Sequence, residues 1–558
     1  MTNVLSELHL TGWHFGKYFD NDLPLAFLII KFHSQGKLGD TPLKLPFSER
    51  GNPKMVMKKL LDAGADIEPK LHMSALEKRL AKLDVDNGLY LHKVGHCDDI
   101  YVVPSKVYGK MDRAVIVDST IAAICNREIG TNGSRRAWNK LVAKPAEGSS
   151  YAMLGIAAGL CAPIYGAIIS DEGVVFNLAG KSGLGKTTVA KIAKSVSGPS
   201  MKLFSWNTTN RGLTEALAAA SDTLFVIDDW EKLDLTTSWS RMLRNTTHLI
   251  TGGNSKSYAE MVKEKLPDLA WSCPVLTSGP CTVERRALDD QYIRTDGDRR
   301  RMIDIPIEPN GGKGIWDNLQ GDEDTGDLSD AIRLAAKKNH GYLFEQWIEL
   351  MMADKDRFID EIERLFDAYA KDNKLHGDTG FEQTVTKKFA IVYAAGMQAI
   401  RSKLLPWDPR NFQRAIVKLH RLSRCAITTD KQAVRSSFIA VNEITSDEKI
   451  FPYVKKSTEA SFKNAEQITG FIIDRKSLRH LYITLPTLEK IVGGKRNADL
   501  FQKKLKEVGA HTEGPKRRAC VQMPVTVRGK ACRPRFLKVE LDAFDGEFEL
   551  QRGQAEPS

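Results

Sequence analysis

Val174-Val175-Phe176-Asn177-Leu178-Ala179 followed by Gly180-Lys181-Ser182-Gly183-Leu184-Gly185-Lys186-Thr187-Thr188 is the stretch on which the reading of this chain turns. Six mostly apolar residues suited to a buried strand deliver the backbone into the pattern Gly-x-x-x-x-Gly-Lys-Thr, and apolar positions at helical spacing continue to Val196 before Gly198-Pro199 stops the helix. Glycines let successive amide N–H groups turn inward and meet a polyphosphate at a helix N-terminus. In this pattern Lys186 reaches the β and γ phosphates, Thr187 offers its hydroxyl to magnesium, and residues 180–188 together form the cradle for ATP.

Two further strands are expected to serve the same site. The run Leu224-Phe225-Val226-Ile227 ends in Asp228-Asp229, where a carboxylate at the end of a buried strand holds magnesium through water and its neighbour orients the attacking water. Asp228 is assigned to the metal; Asp229 is the favoured base and Glu231 its rival. Pro274-Val275-Leu276 runs into Thr277-Ser278-Gly279, placing small hydroxyls where a γ-phosphate sensor would sit. Arg299-Arg300-Arg301 precedes the strand Met302 to Ile307, and Arg300 or Arg301 at this strand edge would be offered to a neighbouring subunit as an arginine finger. Following Gly252-Gly253-Asn254, Lys256, Tyr258, Lys263 and Lys265 suit a hairpin that grips a nucleic-acid backbone.

Outward from this core, 558 residues allow several domains, each with its own interior. Residues 1–130 read as a mixed α+β accessory domain, with strands over Leu23–Phe32, Tyr90–Val103 and Ala114–Val117 and a helix over Lys54–Ala63. His92, His96 and Cys97 lie close together but lack a second ligand cluster, so they read as ordinary residues. The ATPase core spans 131–310. Residues 311–445 read as a helical lid, in which Lys387 and Lys388 are surface lysines that could otherwise sense nucleotide.

The segment 446–558 carries the charge. Between Phe451 and Glu540 there are 20 Lys and Arg against 8 Asp and Glu, an excess of 12 that accounts for the whole chain's net +11. Two short helices, Pro486–Val492 and Ala498–Val508, are followed by a hairpin of Val521–Val527 with Phe536–Leu541 across Arg528-Gly529-Lys530. That order is winged-helix-like, with Lys503, Lys504 and Lys506 on the helix and Arg528, Lys530, Arg533 and Arg535 on the wing facing DNA phosphates.

Eight scattered cysteines without a Cys-x-x-Cys pair argue against a zinc ribbon or a disulfide framework, and the first ten residues carry no secretion signal. Tyr151 to Ser170 is apolar and uncharged with Gly155 and Gly159 in a Gly-x-x-x-Gly spacing, which raises a membrane span. Pro163 and the strand that begins almost at once favour a buried helix, and no membrane partner is expected.

Gly130-Thr131 with Trp138, the alanine-rich helix, residues 180–188, Trp206-Asn207-Thr208-Thr209-Asn210-Arg211-Gly212-Leu213-Thr214-Glu215, Asp228-Asp229 and Arg301-Met302-Ile303-Asp304-Ile305-Pro306 occur in an order that resembles domain-of-unknown-function family 927. The resemblance covers roughly residues 1 to 440 and implies a helicase-like or primase-associated AAA+-type ATPase of phages, plasmids and other mobile elements, with Arg301 at the family's arginine. The Asp-Asp pair and sensor strand are also similar to superfamily-three viral helicases, which often carry asparagine where Gly279 stands. Primase segments are not evident, so a separate primase or polymerase would supply priming. The expectation is an α/β P-loop NTPase acting as a ring-forming, ATP- and Mg2+-dependent DNA helicase or translocase in a bacterial host cytosol. The alternative is a DNA-associated ATPase switch, loader or defence scaffold that does not unwind.

Overall fold

A computed structural model describes residues 10–546 apart from 11–12, 21–24, 35–36, 39–41, 84–86, 170–171, 233–238, 257–267, 291–293, 308–311, 320, 322–323, 376–377, 379, 427–429, 446–447, 449, 464–467, 476–477, 493–494 and 512–519. The chain is mixed α/β and packs as two units, Met1–Thr282 with Asp296–Arg424, and Val283–Thr295 with Cys425–Ser558.

The first unit is centred on a parallel sheet. Its strands are β1 (Val175–Ala179), β2 (Phe204–Ser205), β3 (Phe225–Asp228), β4 (Val275–Gly279) and β5 (Met302–Pro306), in the order β2-β3-β4-β1-β5. β1, β4 and β5 are buried along almost their whole length, polar residues included, because helices cover a parallel sheet. α1 (Ser150–Ile168) and α2 (Lys186–Lys194) pack together in the main core. Every residue of α1 from Ser150 to Tyr165 is buried, so the helix that is long and apolar enough to span a membrane is spent on the interior. Its glycine spacing serves α2: a methyl on Gly155 would lie 3.1 Å from Ala193 Cβ, and one on Gly159 3.1 Å from Val196 Cβ. Around the sheet lie α3 (Asn210–Ala219), α4 (Trp239–Gly252), α5 (Asp296–Arg301), α6 (Thr325–Lys338) and α7 (Gly380–Arg401). α7 sets Phe389 edge-on to Phe176 of β1, with ring centres 5.6 Å apart.

A second sheet in this unit has the order Val115–Val117, Asn87–Leu91, His14–Asp20, Ala26–Lys31, Leu43–Pro46. Helices Pro53–Asp62 and Pro69–Ala81 share a core with it, in which Leu28, Ile30 and Leu45 meet Val56, Leu60 and Leu76. The single strand expected over Tyr90–Val103 is three: the chain turns at Gly95 (φ +95°) and Asp98 (φ +52°), giving Asn87–Leu91, Gly95–Cys97 and Ile100–Val103. His92 Nε2 sits 2.7 Å from Asp20, and His96 Nε2 lies 2.7 Å from the Pro163 carbonyl; burial lowers the His96 pKa to about 4.

In the second unit, helices Leu485–Val492 and Lys495–Glu507 lie close to the expected bounds. The hairpin differs. Val525–Val527 pairs with Lys530–Cys532 across Arg528-Gly529, both at positive φ, while Val521–Gln522 pairs separately with Arg535 and Phe536. Pro524 and Pro534 stand between the two pairings, and a residue without an N–H interrupts a continuous ladder. Missed from the sequence are the antiparallel strands Gly470–Arg475 and Leu478–Ile483, which form the centre of a five-stranded sheet with Arg535–Glu540.

Candidate nucleotide site

At the C-terminal end of β1 the backbone turns through Gly183 (φ +84°) and Gly185 (φ +92°) before α2 begins. Only a residue without Cβ takes both conformations freely, and at Gly185 a methyl would also come within 2.8 Å of Ile315 Cγ1. The first turn of α2 thus opens its unpaired N–H groups onto a cleft of about 550 Å³. That volume falls in the range of small-ligand sites.

The cleft joins segments far apart in sequence. Ser182 to Thr188 supply one wall, and Asp228, Asp229, Glu231 and Ser278 another. Pro280, Gly312–Gly314, Trp316, Thr325, Gly326, Ser329, Asp330 and Arg333 complete it. Lys186 Nζ donates to the Gly180 carbonyl and, at 2.8 Å, to that of Lys181, so the lysine is folded onto its own loop. Burial lowers its pKa, and the carboxylates of Asp229 and Glu231 act in the opposite sense. Asp229 Oδ1 accepts the Glu231 backbone N–H at 3.1 Å, which shapes the turn after β3. Thr187 and Asp228 both line this cleft, and a hydroxyl with a carboxylate is a donor set that fits a hard divalent cation such as magnesium.

The sensor pair divides. Ser278 lines the cleft, whereas Thr277 Oγ1 accepts the Trp206 indole N–H at 2.9 Å on the other face of the sheet, as strand alternation requires. Gly279 is also explained: a methyl there would lie 2.0 Å from the Trp230 indole, so asparagine has no room.

Arg299, Arg300 and Arg301 end α5 instead of forming a strand edge, and they sit at the opposite end of the sheet from the cleft. One five-residue strand, about 15 Å at the usual rise, separates them from the loop. Arg299 is buried, while Arg300 Nε and Arg301 Nη2 lie 3.1 and 2.6 Å from the two oxygens of Glu172. Lys388 is neither a surface lysine nor a cleft residue. It is buried at that same far end, donating to the carbonyls of Gly173 (3.0 Å) and Arg300 (2.6 Å), with Glu172 at 3.6 Å, and burial lowers its pKa to about 8.

Lys256 is exposed, near paired arms in which Ser255 N donates to Leu269 O and Trp271 N to Gly253 O; Tyr258, Lys263 and Lys265 lie outside the described residues. In the second unit Lys503, Arg528 and Lys530 are exposed and Lys504 is half-buried. Sequence reasoning missed Lys313, Asp330 and Arg333 as cleft residues. Asp330 and Arg333 pair with each other on α6, and no local motif marks them.

Residues 27–262 match the family described as "Domain of unknown function (DUF927)", so the resemblance drawn from the ordered motifs is shown for that segment. No curated protein matches the chain. Among solved structures, "SCCmec type IV Cch - active helicase" shares the fold, with a TM-score of 0.63 at 16% identity over 96% of this chain and 94% of that one. A second, "The A form apo structure of NrS-1 C terminal region-CTR", reaches a TM-score of 0.27 at 11% identity over 75% of this chain and 94% of that one, too low to carry an argument.

Proposed function

We propose that this chain is an ATP-hydrolysing DNA helicase or translocase with an AAA+-like P-loop core, working as a homo-oligomeric ring in the replication of a phage, plasmid or other mobile element. The observation that carries the reading is one cleft shared by the Gly-Lys-Thr loop, the Asp228-Asp229 turn and Ser278. The fold shared with a structure titled as an active helicase supports the choice of a DNA motor among ATPases.

In this reading the backbone amides of residues 182–188 bind the phosphates, and Lys186 leaves the Gly180 and Lys181 carbonyls for the β and γ oxygens, a charge-assisted exchange. Thr187 and Asp228 would hold a magnesium ion, which would neutralise charge on the phosphates. Asp229, or Glu231, accepts a proton from the attacking water, and Ser278 reports the γ phosphate. Arg301, with Arg300, lies too far from its own cleft and acts on the neighbouring subunit's nucleotide. Residues 1–130 are the accessory domain, 131–310 the core, 311–445 the lid and 446–558 a winged-helix-like module. Lys256 follows the single strand through the pore; Lys503, Lys504, Arg528 and Lys530 hold duplex or origin DNA. The setting is the host cytosol, with priming from a separate primase or polymerase.

The test is ATP hydrolysis with and without single-stranded and forked DNA. Lys186→Ala and Arg301→Ala each lower turnover by about 100-fold or more, and mixing the two variants restores part of it, because one supplies a finger and the other an intact cleft. Turnover indifferent to DNA replaces the motor with a nucleotide-dependent switch, loader or defence scaffold.

A further inference from the structure

Between the two candidate bases stands Trp230, whose side chain is 1% exposed. Its indole occupies the space beside Gly279, and its N–H donates to Asn177 Oδ1 at 3.1 Å. Asn177 Nδ2 in turn donates to Asp304 Oδ1 at 2.7 Å. The chain therefore runs from the acidic turn, across β1, to β5, where Asp304 pairs in register with Asn177.

A fully buried amide in the middle of a parallel strand is costly unless its polar atoms are satisfied. Asn177 takes no part in lining the cleft; both its oxygen and its nitrogen are committed to this chain. An indole N–H can only donate and a carboxylate can only accept, so the amide has one orientation. The turn is thereby tied to the strand that leads directly into the phosphate loop.

We infer that Trp230 is a positioning residue for hydrolysis, and that the Trp230–Asn177–Asp304 chain sets Asp229 and Glu231 over the γ-phosphate position. Gly279 is the accommodation on β4: it is small because the indole fills the space that a side chain there would take. The inference rests on the hydrolytic reading above, since misplacing a base by an ångström costs rate with little effect on nucleotide affinity.

Trp230→Phe keeps an aromatic ring, though a smaller one, and removes the N–H; Asn177→Ala removes the relay. Each lowers kcat about tenfold with KM for ATP within about twofold, and the double variant falls no further than the worse single. Asp304→Asn, which retains an acceptor oxygen, stays within about threefold of wild type. Unchanged kcat beside an active wild type, KM rising in step with the fall in kcat, or effects that multiply would overturn the inference. Hydrogen exchange decides it independently of turnover. In Asn177→Ala the amides of residues 228–232 exchange at least about tenfold faster while 183–188 keep their protection. Equal protection of 228–232 in both proteins sinks the positioning role, whereas wild-type turnover that does not depend on Lys186 sinks the hydrolytic reading alone.

Discussion

The two ends of the five-stranded parallel sheet treat charge in opposite ways. At the C-terminal ends of the strands, Lys186, Asp228, Asp229 and Glu231 converge on an open cleft. At the N-terminal ends, Arg300, Arg301 and Lys388 close on the single carboxylate of Glu172, with Lys388 1% and Glu172 11% exposed. Charges left facing a cleft are suited to partners from solution, such as phosphate and metal. Charges sealed against one another hold elements together, and here they join the start of β1 to α5 and α7. The arginines combine both circumstances: Arg300 and Arg301 are ion-paired to Glu172 yet 43% and 22% exposed.

The contrast breaks first at the open end. Asp229→Asn and Glu231→Gln separate the two candidate bases: the true base loses about 100- to 10,000-fold in turnover while the other loses far less, measured under saturating ATP. At the sealed end, Glu172→Gln leaves the buried Lys388 ammonium without its carboxylate, while the part-exposed Arg300 and Arg301 turn to water, and lowers unfolding stability by about 3 kcal/mol, measured by urea denaturation. Nucleotide affinity at the far end changes less than about twofold. A loss of affinity as large as the loss of stability would mean that the two ends are not separate devices.

The smallest effect is a pH dependence. Lys388 has its folded pKa lowered to about 8 by burial, below the value of an exposed lysine. Between those pKa values the unfolded chain binds the extra proton, so stability rises with pH. Below about 8 the cost of burying the ammonium is present in full, and it is relieved as pH climbs toward about 10.5. Relative to Lys388→Met, which does not titrate, wild type gains on the order of 3 kcal/mol across that window. A constant difference between the two proteins would show that Lys388 keeps an ordinary pKa.

The legible parts of the site are those whose physics is local. Strand, glycine turn and helix N-terminus follow one another within residues 174–188, and Asp228 closes an apolar run, so local order and spacing mark them. Ser278 was legible only as one of a pair, because which hydroxyl faces the cleft depends on the phase of β4 in the sheet. Asp330 and Arg333 belong to an ordinary amphipathic helix and become cleft residues only through where α6 packs. Lys388 reads as a surface lysine because one residue of α7 looks much like the next until a carboxylate from residue 172 and two carbonyls are brought around it. Two proline-separated pairings stand where the basic segment suggested one hairpin, and the strands over 470–483 went unread.

Local sequence fixes the glycine loop, the helix after it, the acidic turn and the concentration of positive charge after residue 450, since each depends on neighbours within a few positions. Tertiary structure alone decided that Gly279 must lack a side chain, that Trp230 is tied through Asn177 to Asp304, and that the arginines of α5 meet Glu172. Those facts depend on strands brought side by side from positions far apart in the chain, where spacing along the sequence carries no record of distance in space.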